Sequence, residues 1–327
     1  MNIEYFAPLS EAWKRMKKAL FHPFDIGKWF ALGFTAFLAH LLDGGGFPGN
    51  FRSNFNRDKP INLPDIENIP GRVANWMHSH PFLIFGILIG VLVFISIILV
   101  LTWLSSRGTF MFLDNVVHNR ALIVKPWREN KILGNSLFFW RIGFGVVVGL
   151  LMLPFLILIL ILLRQFPHGH YAPFNILGII VIGLLWFLAS VIVGYISMFT
   201  HSFVVPIMYK HDLKILQAWQ KFLSILKSHF LYFILFGLFY LLLFIVIAIA
   251  AFITGCLTCC IFFLILLLPY ISSVFLLPVS FTLRAFSLEF LAQWGKDYSV
   301  FPDEALPSDD VPPPPVPPPA GVSIPGM

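Results

Sequence analysis

Charge is scarce in this chain of 327 residues: Asp, Glu, Lys and Arg make up 12%, where soluble domains carry about a quarter. From Phe230 to Leu283 it is absent altogether, and His with it. A helix rises about 1.5 Å per residue, so this stretch of about 54 residues would reach roughly 80 Å, more than twice the hydrocarbon thickness of a bilayer. It must fold back on itself, and the rise in polarity at Thr254, Gly255 and Cys256 predicts the turn of a helical hairpin there. Cysteine is almost as rare. Cys256, Cys259 and Cys260 all fall within Gly255 to Cys260, which excludes a secreted disulfide framework and a zinc ribbon, whose ligand pairs stand far apart in sequence. They could form a strained disulfide, hold a soft metal or pack as small apolar residues, and packing is preferred.

Reaction templates are missing too. The chain has no Gly-x-Ser-x-Gly elbow, no His-Glu-x-x-His and no phosphate-binding Gly-x-x-x-x-Gly-Lys-Ser/Thr. The apolar runs carry no ionisable residue at mid-depth, where transporters and pumps keep theirs. His40 and Arg141 fall only near predicted span ends.

What is present is oil. Hydrophobic residues are 58%, aromatics 17% and the mean hydropathy is +0.85, the composition of an all-α integral membrane protein. Six spans are predicted, at about 24–42, 82–104, 142–163, 176–199, 230–253 and 257–283. Pro154 should kink the third, and Gly178, Gly183 and Gly194 offer close helix approach in the fourth. The first carries no cleavage pattern and reads as an uncleaved anchor. These spans form a domain over 1–298, followed by a proline-rich, PPII-like, disordered tail over 299–327.

Between the spans lie mixed segments. Residues 9–21 put Leu9, Trp13, Met16 and Leu20 on one side and Lys14, Arg15, Lys17 and Lys18 around the rest. Phe110 to Leu137 and Pro206 to Ser228 repeat the theme, the latter with Leu216, Trp219, Phe222, Leu223 and Leu226 on one face. Each predicts an amphipathic surface helix ahead of a hairpin. Of the 22 Lys and Arg, only Arg52, Arg57, Lys59, Arg72 and Arg164 fall on the opposite face. By the positive-inside rule both termini are therefore cytoplasmic, in a bacterial cytoplasmic membrane. The charges ring the spans, so the excess of +6 indicates anionic lipid headgroups as partners and not nucleic acid.

The chain echoes itself. Trp13, Trp127 and Trp219 each precede a span, and Thr109-Phe110, Ser202-Phe203 and Ser280-Phe281 leave the even-numbered spans ahead of Trp127, Trp219 and Trp294. The reading is three units of surface helix plus hairpin. With Ser202-Phe203-Val204-Val205-Pro206 followed by Leu216-Gln217-Ala218-Trp219, the pattern resembles the membrane domain fused to some bacterial glycerophosphoryl diester phosphodiesterases, over about residues 1 to 295. That resemblance implies a six-helix membrane domain without chemistry of its own, since the phosphodiesterase catalytic domain has no counterpart.

Candidate sites are few. His78, His80, His168 and His170 form two alternating pairs on the predicted outer face, a spacing able to hold a divalent metal. The bland alternative, ordinary histidines of interfacial loops, is preferred. Asp114 and His118 stand four apart on a predicted helix, as a stabilising pair before an acid-base one. No catalytic, cofactor or metal residue is assigned. The expected function is non-enzymatic, organising lipids or partner membrane proteins, with a transporter or channel for a small neutral or lipid-like solute as the alternative. Pro269 and Pro278, which could interrupt a span, are the one transporter-like feature.

Overall fold

The computed structural model describes residues 3–41, 79–164, 173–258 and 261–302. Every regular element among them is helical: α1 (Phe6–Phe21), α2 (Ile26–Ala39), α3 (Pro81–Val117), α4 (Val124–Glu129), α5 (Lys131–Arg164) and α6 (Pro173–Phe199). A π-helical turn (Thr200–Val204) leads into α7 (Val205–His211), then α8 (Ile215–Ser228), α9 (Phe230–Leu257), α10 (Ile261–Leu267), α11 (Pro269–Phe275), α12 (Leu277–Ala292) and a 3-10 turn (Lys296–Tyr298).

Two regions of different character emerge. The far ends of the long helices are bare: Phe85, Leu92, Leu150, Ile180, Leu188, Leu238 and Ile245 are all more than half exposed or close to it. No soluble surface carries a contiguous apolar area of that size. This is a helical membrane protein. The near ends, by contrast, close into a bundle. Most of Ser105 to Val117 of α3 and of the π turn, the first four residues of α7 and most of α12 are buried, packed with α1, α2, α8 and the root of α9.

The number of spans departs from the sequence reading. Among the described residues four stretches are long and apolar enough to cross a bilayer, Pro81–Val117, Lys131–Ile159, Leu177–His211 and Phe230–Leu257, and α11 with α12, bent by 64°, would make a fifth if the pair is one span. The predicted first span, 24–42, is the 14-residue α2, about 21 Å long against a hydrocarbon core of about 30 Å. Asp25 caps it, its Oδ1 accepting from the N–H of Gly27 at 2.8 Å and of Lys28 at 3.3 Å. Leu32, Thr35, Ala36 and Ala39 are buried, and α2 packs along the inner end of α3 and against α11.

The last predicted span, 257–283, is broken as well. Pro269 and Pro278 each open a new helix, because a ring without N–H suits a first turn and no interior. The predicted turn at Thr254, Gly255 and Cys256 lies inside α9, which continues to Leu257. Gly255 serves close packing: a Cβ there would fall on the ring of Phe263. Helix α5 runs unbroken through Pro154.

The segments expected on the membrane surface each turn one face into the bundle and leave the other exposed. Phe110 to Leu137 divides into the end of α3, a turn, α4 and the start of α5, with Phe110, Phe112, Leu113 and Leu133 buried. In α1 the buried line is Ala12, Met16, Ala19 and Leu20, while Trp13 is 49% exposed. In α8 Ala218 and Phe222 are buried, but Leu216 and Leu223 face outward. The predicted tail begins late, since Val300 and Phe301 still pack into the bundle, with the Arg15 guanidinium 3.9 Å from the Phe301 ring centre. Residues 303–327, and with them the proline run, lie outside the described residues.

Phenylalanine builds the bundle core. The ring of Phe203 lies 5.4 Å from Phe222, 5.2 Å from Phe233, 4.8 Å from Phe236 and 5.9 Å from Phe290. One side chain of the π turn thus joins α8, α9 and α12. Each such ring contributes about 1.5–3 kcal/mol by burial, with up to about 1 kcal/mol more from ring geometry.

Candidate functional site: the polar junction below the spans

Where the bare helices enter the bundle, polar side chains from four elements meet a backbone carbonyl of a fifth. Ser105 of α3 donates through Oγ to the Ala39 carbonyl at 3.0 Å and accepts from Arg141 Nη1 of α5 at 2.8 Å. Arg141 Nη2 donates to His201 Nε2 on the π turn, so His201 presents an unprotonated nitrogen. Arg284 Nη1 of α12 donates to the His201 carbonyl at 2.6 Å. The π turn makes this possible, since an i→i+5 bulge re-aims side chains that an α-helix would keep in register. Two guanidiniums are thereby gathered on one histidine beneath the apolar zone.

A second polar group fixes the other end of α3. Asp114, with its side chain 3% exposed, accepts from Arg120 Nη2 at 2.8 Å, Arg120 Nε at 3.1 Å and the Tyr209 hydroxyl at 2.6 Å. His118 Nδ1 stands 3.3 Å away. The carboxylate is clamped between α3, the following turn and α7, and every lone pair it offers is engaged. Its chemistry is that of a tie, as the stabilising reading of Asp114 and His118 anticipates.

A fourth guanidinium is stacked: Arg107, inside α3, lies 4.4 Å from the Trp103 ring centre and 5.0 Å from that of Trp127. Its Nη2 donates to Asn135 Oδ1 at 3.2 Å. Farther out, Lys221 Nζ donates to His211 Nε2 at 2.7 Å and stands 5.4 Å from the Tyr298 ring. Burial, and after it Asp297, raises the Tyr298 hydroxyl above its ordinary value.

The remaining sequence candidates divide. His78, His168 and His170, with Cys259 and Cys260, lie outside the described residues. His80 is described, its Nδ1 2.8 Å from Ser79 Oγ, and Cys256 is exposed. Among the described residues no three His, Cys, Asp or Glu converge as a metal would need. Gly183 and Gly194 face open space, whereas Gly33, Gly108, Gly134 and Gly237 carry the close approaches. His201 and Arg284 escaped the sequence reading. The one cue was that each adjoins an exit from an apolar run.

The comparisons add a family. No curated protein and no solved structure matches the chain, and nothing among the matches links it to the phosphodiesterase-associated membrane domain. The model of a family of unknown function, DUF7544, matches residues 4–295, nearly the whole length from α1 to the end of the bundle, so the chain belongs to that family.

Proposed function

We propose that this protein is a non-enzymatic multi-pass protein of the bacterial cytoplasmic membrane that organises lipids or partner proteins from a folded cytoplasmic bundle. The observation that carries this reading is the contrast between the two regions: a closed, phenylalanine-filled bundle and long helices left bare to lipid. The bundle gives structural work to Arg107, Arg120, Arg141 and Arg284, while Glu11 Oε2, Trp219 Nε1, His229 Nδ1 and Trp294 Nε1 are buried in it without a partner. The pairing of the residues before α1 with those just after α12 supports termini on one face, since Glu4 N–H donates to Gln293 Oε1 and Gln293 Nε2 to the Glu4 carbonyl, both at 2.9 Å. The lysine-rich outer side of α1 supports a cytoplasmic face, each such cation gaining about 1 kcal/mol beside anionic headgroups.

The test uses purified full-length protein in vesicles of phosphatidylethanolamine and phosphatidylglycerol. Expected are protein-dependent clustering of fluorescent phosphatidylglycerol and no protein-dependent uptake of glycerol or other small neutral solutes. Uptake that scales with protein would overturn the reading. It would favour the second one, a transporter, for which the 64° break between α11 and α12 is the supporting observation, because discontinuous helices line transport sites.

A further inference from the structure

The flanks of α8 are hollow. On one side α5 and α8 enclose a cleft of about 920 Å³ lined by Phe139, Trp140, Gly143, Phe144, Val147 and Leu216, with Asn135, Ser136, Lys214 and Gln217 at one end. On the other side a cleft of about 610 Å³ runs between α6, α8 and α9, lined by Ile192, Tyr195, Trp219, Leu223, Phe230 and others, without accessible polar surface. Trp140 and Leu216 belong to both, so the clefts share a wall.

Three features identify the occupant. First, polarity in the larger cleft is graded along α5: Asn135 and Ser136 lie toward the bundle and Val147 lies about 18 Å farther along the span, at about 1.5 Å per residue. Second, the polar end carries one cation, Lys214, and no carboxylate. Third, both clefts are bounded by bare span residues, Val147 on α5 and Val191 and Ile192 on α6, so they open to the bilayer. Water has little to bind there, and a peptide's backbone would find no partners in the smaller cleft. An amphiphile with an anionic head and two hydrocarbon tails matches the gradient, the charge and the paired hollows.

The geometry points to a binding site for one anionic glycerophospholipid, its headgroup phosphate at Lys214 and its two acyl chains in the clefts on either side of the Trp140–Leu216 wall. This site rests on the membrane reading above and specifies how lipid is held. Ser136 Oγ accepts from the Ile215 N–H at 3.1 Å, which pins α8 to α5 and keeps the larger cleft open at fixed width.

The test is native mass spectrometry of the full-length protein released from vesicles of phosphatidylglycerol and phosphatidylcholine, with thermal unfolding in detergent as a folding check. Gly143 lines the larger cleft and a Cβ there meets nothing within 4 Å, so Gly143→Leu fills the hollow without a clash. Gly183 is equally open but lines neither cleft, and Gly183→Leu is the control. Wild type and Gly183→Leu should retain about one phosphatidylglycerol per chain, Gly143→Leu at least tenfold less, and Lys214→Glu should lower the preference for phosphatidylglycerol over phosphatidylcholine at least threefold. Equal retention by the two glycine variants, or a preference unmoved by Lys214→Glu, would overturn the site. Clustering of lipid by wild type with retention unchanged in Gly143→Leu defeats the site and leaves the membrane reading. Solute uptake together with a tenfold loss in Gly143→Leu does the reverse.

Discussion

Asp114 shows how far a single residue can tie elements together. Removing a buried carboxylate leaves Arg120 and the Tyr209 hydroxyl without their acceptor, so Asp114→Ala is expected to cost about 3–5 kcal/mol, read as a lowered thermal midpoint in detergent. Tyr209→Phe removes the 2.6 Å bond to Asp114 and the 3.5 Å contact with His118 Nδ1 but leaves Arg120 paired, and should cost about 1.5–3 kcal/mol. Wild-type melting of Asp114→Ala would show the tie to be idle. The spacing of Asp114 and His118 is visible in the sequence, but Arg120 and Tyr209 are not predictable partners. Tyr209 is 95 positions away, and only the fold brings it in. Gly108 makes the same point about packing, for a Cβ there would lie 2.7 Å from the Leu38 carbonyl carbon. Gly108→Val should therefore push α2 from α3 and destabilise by about 1–3 kcal/mol.

Among the elements, the repeat suggested by Thr109-Phe110 and Ser202-Phe203 acquires a structural measure. Asn119 and Asp212 both adopt φ of 50°, and each follows a fully buried phenylalanine, Phe110 or Phe203, by nine residues. The third positive-φ residue among those described is Gly295, with φ of 126° and ψ of 169°, and nine residues before it stands buried Phe286. By this measure the third station falls at Ala285-Phe286, where the sequence pattern suggests Ser280-Phe281. At each station a helix leaving the apolar zone is followed by a residue of positive φ. Asp212→Val, which places a β-branched residue at that turn, should cost about 1–2 kcal/mol, while Asp212→Gly should be neutral or stabilising by less than about 1 kcal/mol. Equal melting temperatures for the two variants would mean the turn does not constrain α7 against α8. The surface helices make a related point: a Leu or Phe stripe looks the same whether it meets lipid or protein, and here one face of α1 and of α8 meets the bundle while Trp13, Leu216 and Leu223 stay exposed.

At the scale of the molecule, the order of packing is circular. The first station, at Phe110, feeds α4 and α5, and the second, at Phe203, feeds α8 and α9, yet the station at Phe286 has no further α-helix after α12 among the described residues. Its partner is α1, which packs along α12, with Arg15 Nε donating to Glu289 Oε1. The first helix of the chain thus completes the last unit, much as a repeat ring closes on itself. A stripe of Ala12, Met16 and Leu20, each at most 1% exposed, supplies the contact. Deleting residues 1–22 should then uncover Ala285, Leu288 and Leu291 on α12, all fully buried in the intact chain, and lose more than a surface helix could account for. The expected result is a lost or non-cooperative thermal transition. Adding the peptide of residues 3–22 in trans should restore it, with a dependence on peptide concentration that reports the strength of the α1–α12 contact. A truncated protein that melts like the full chain would place α1 back on the membrane surface, where the lysines alone would have put it.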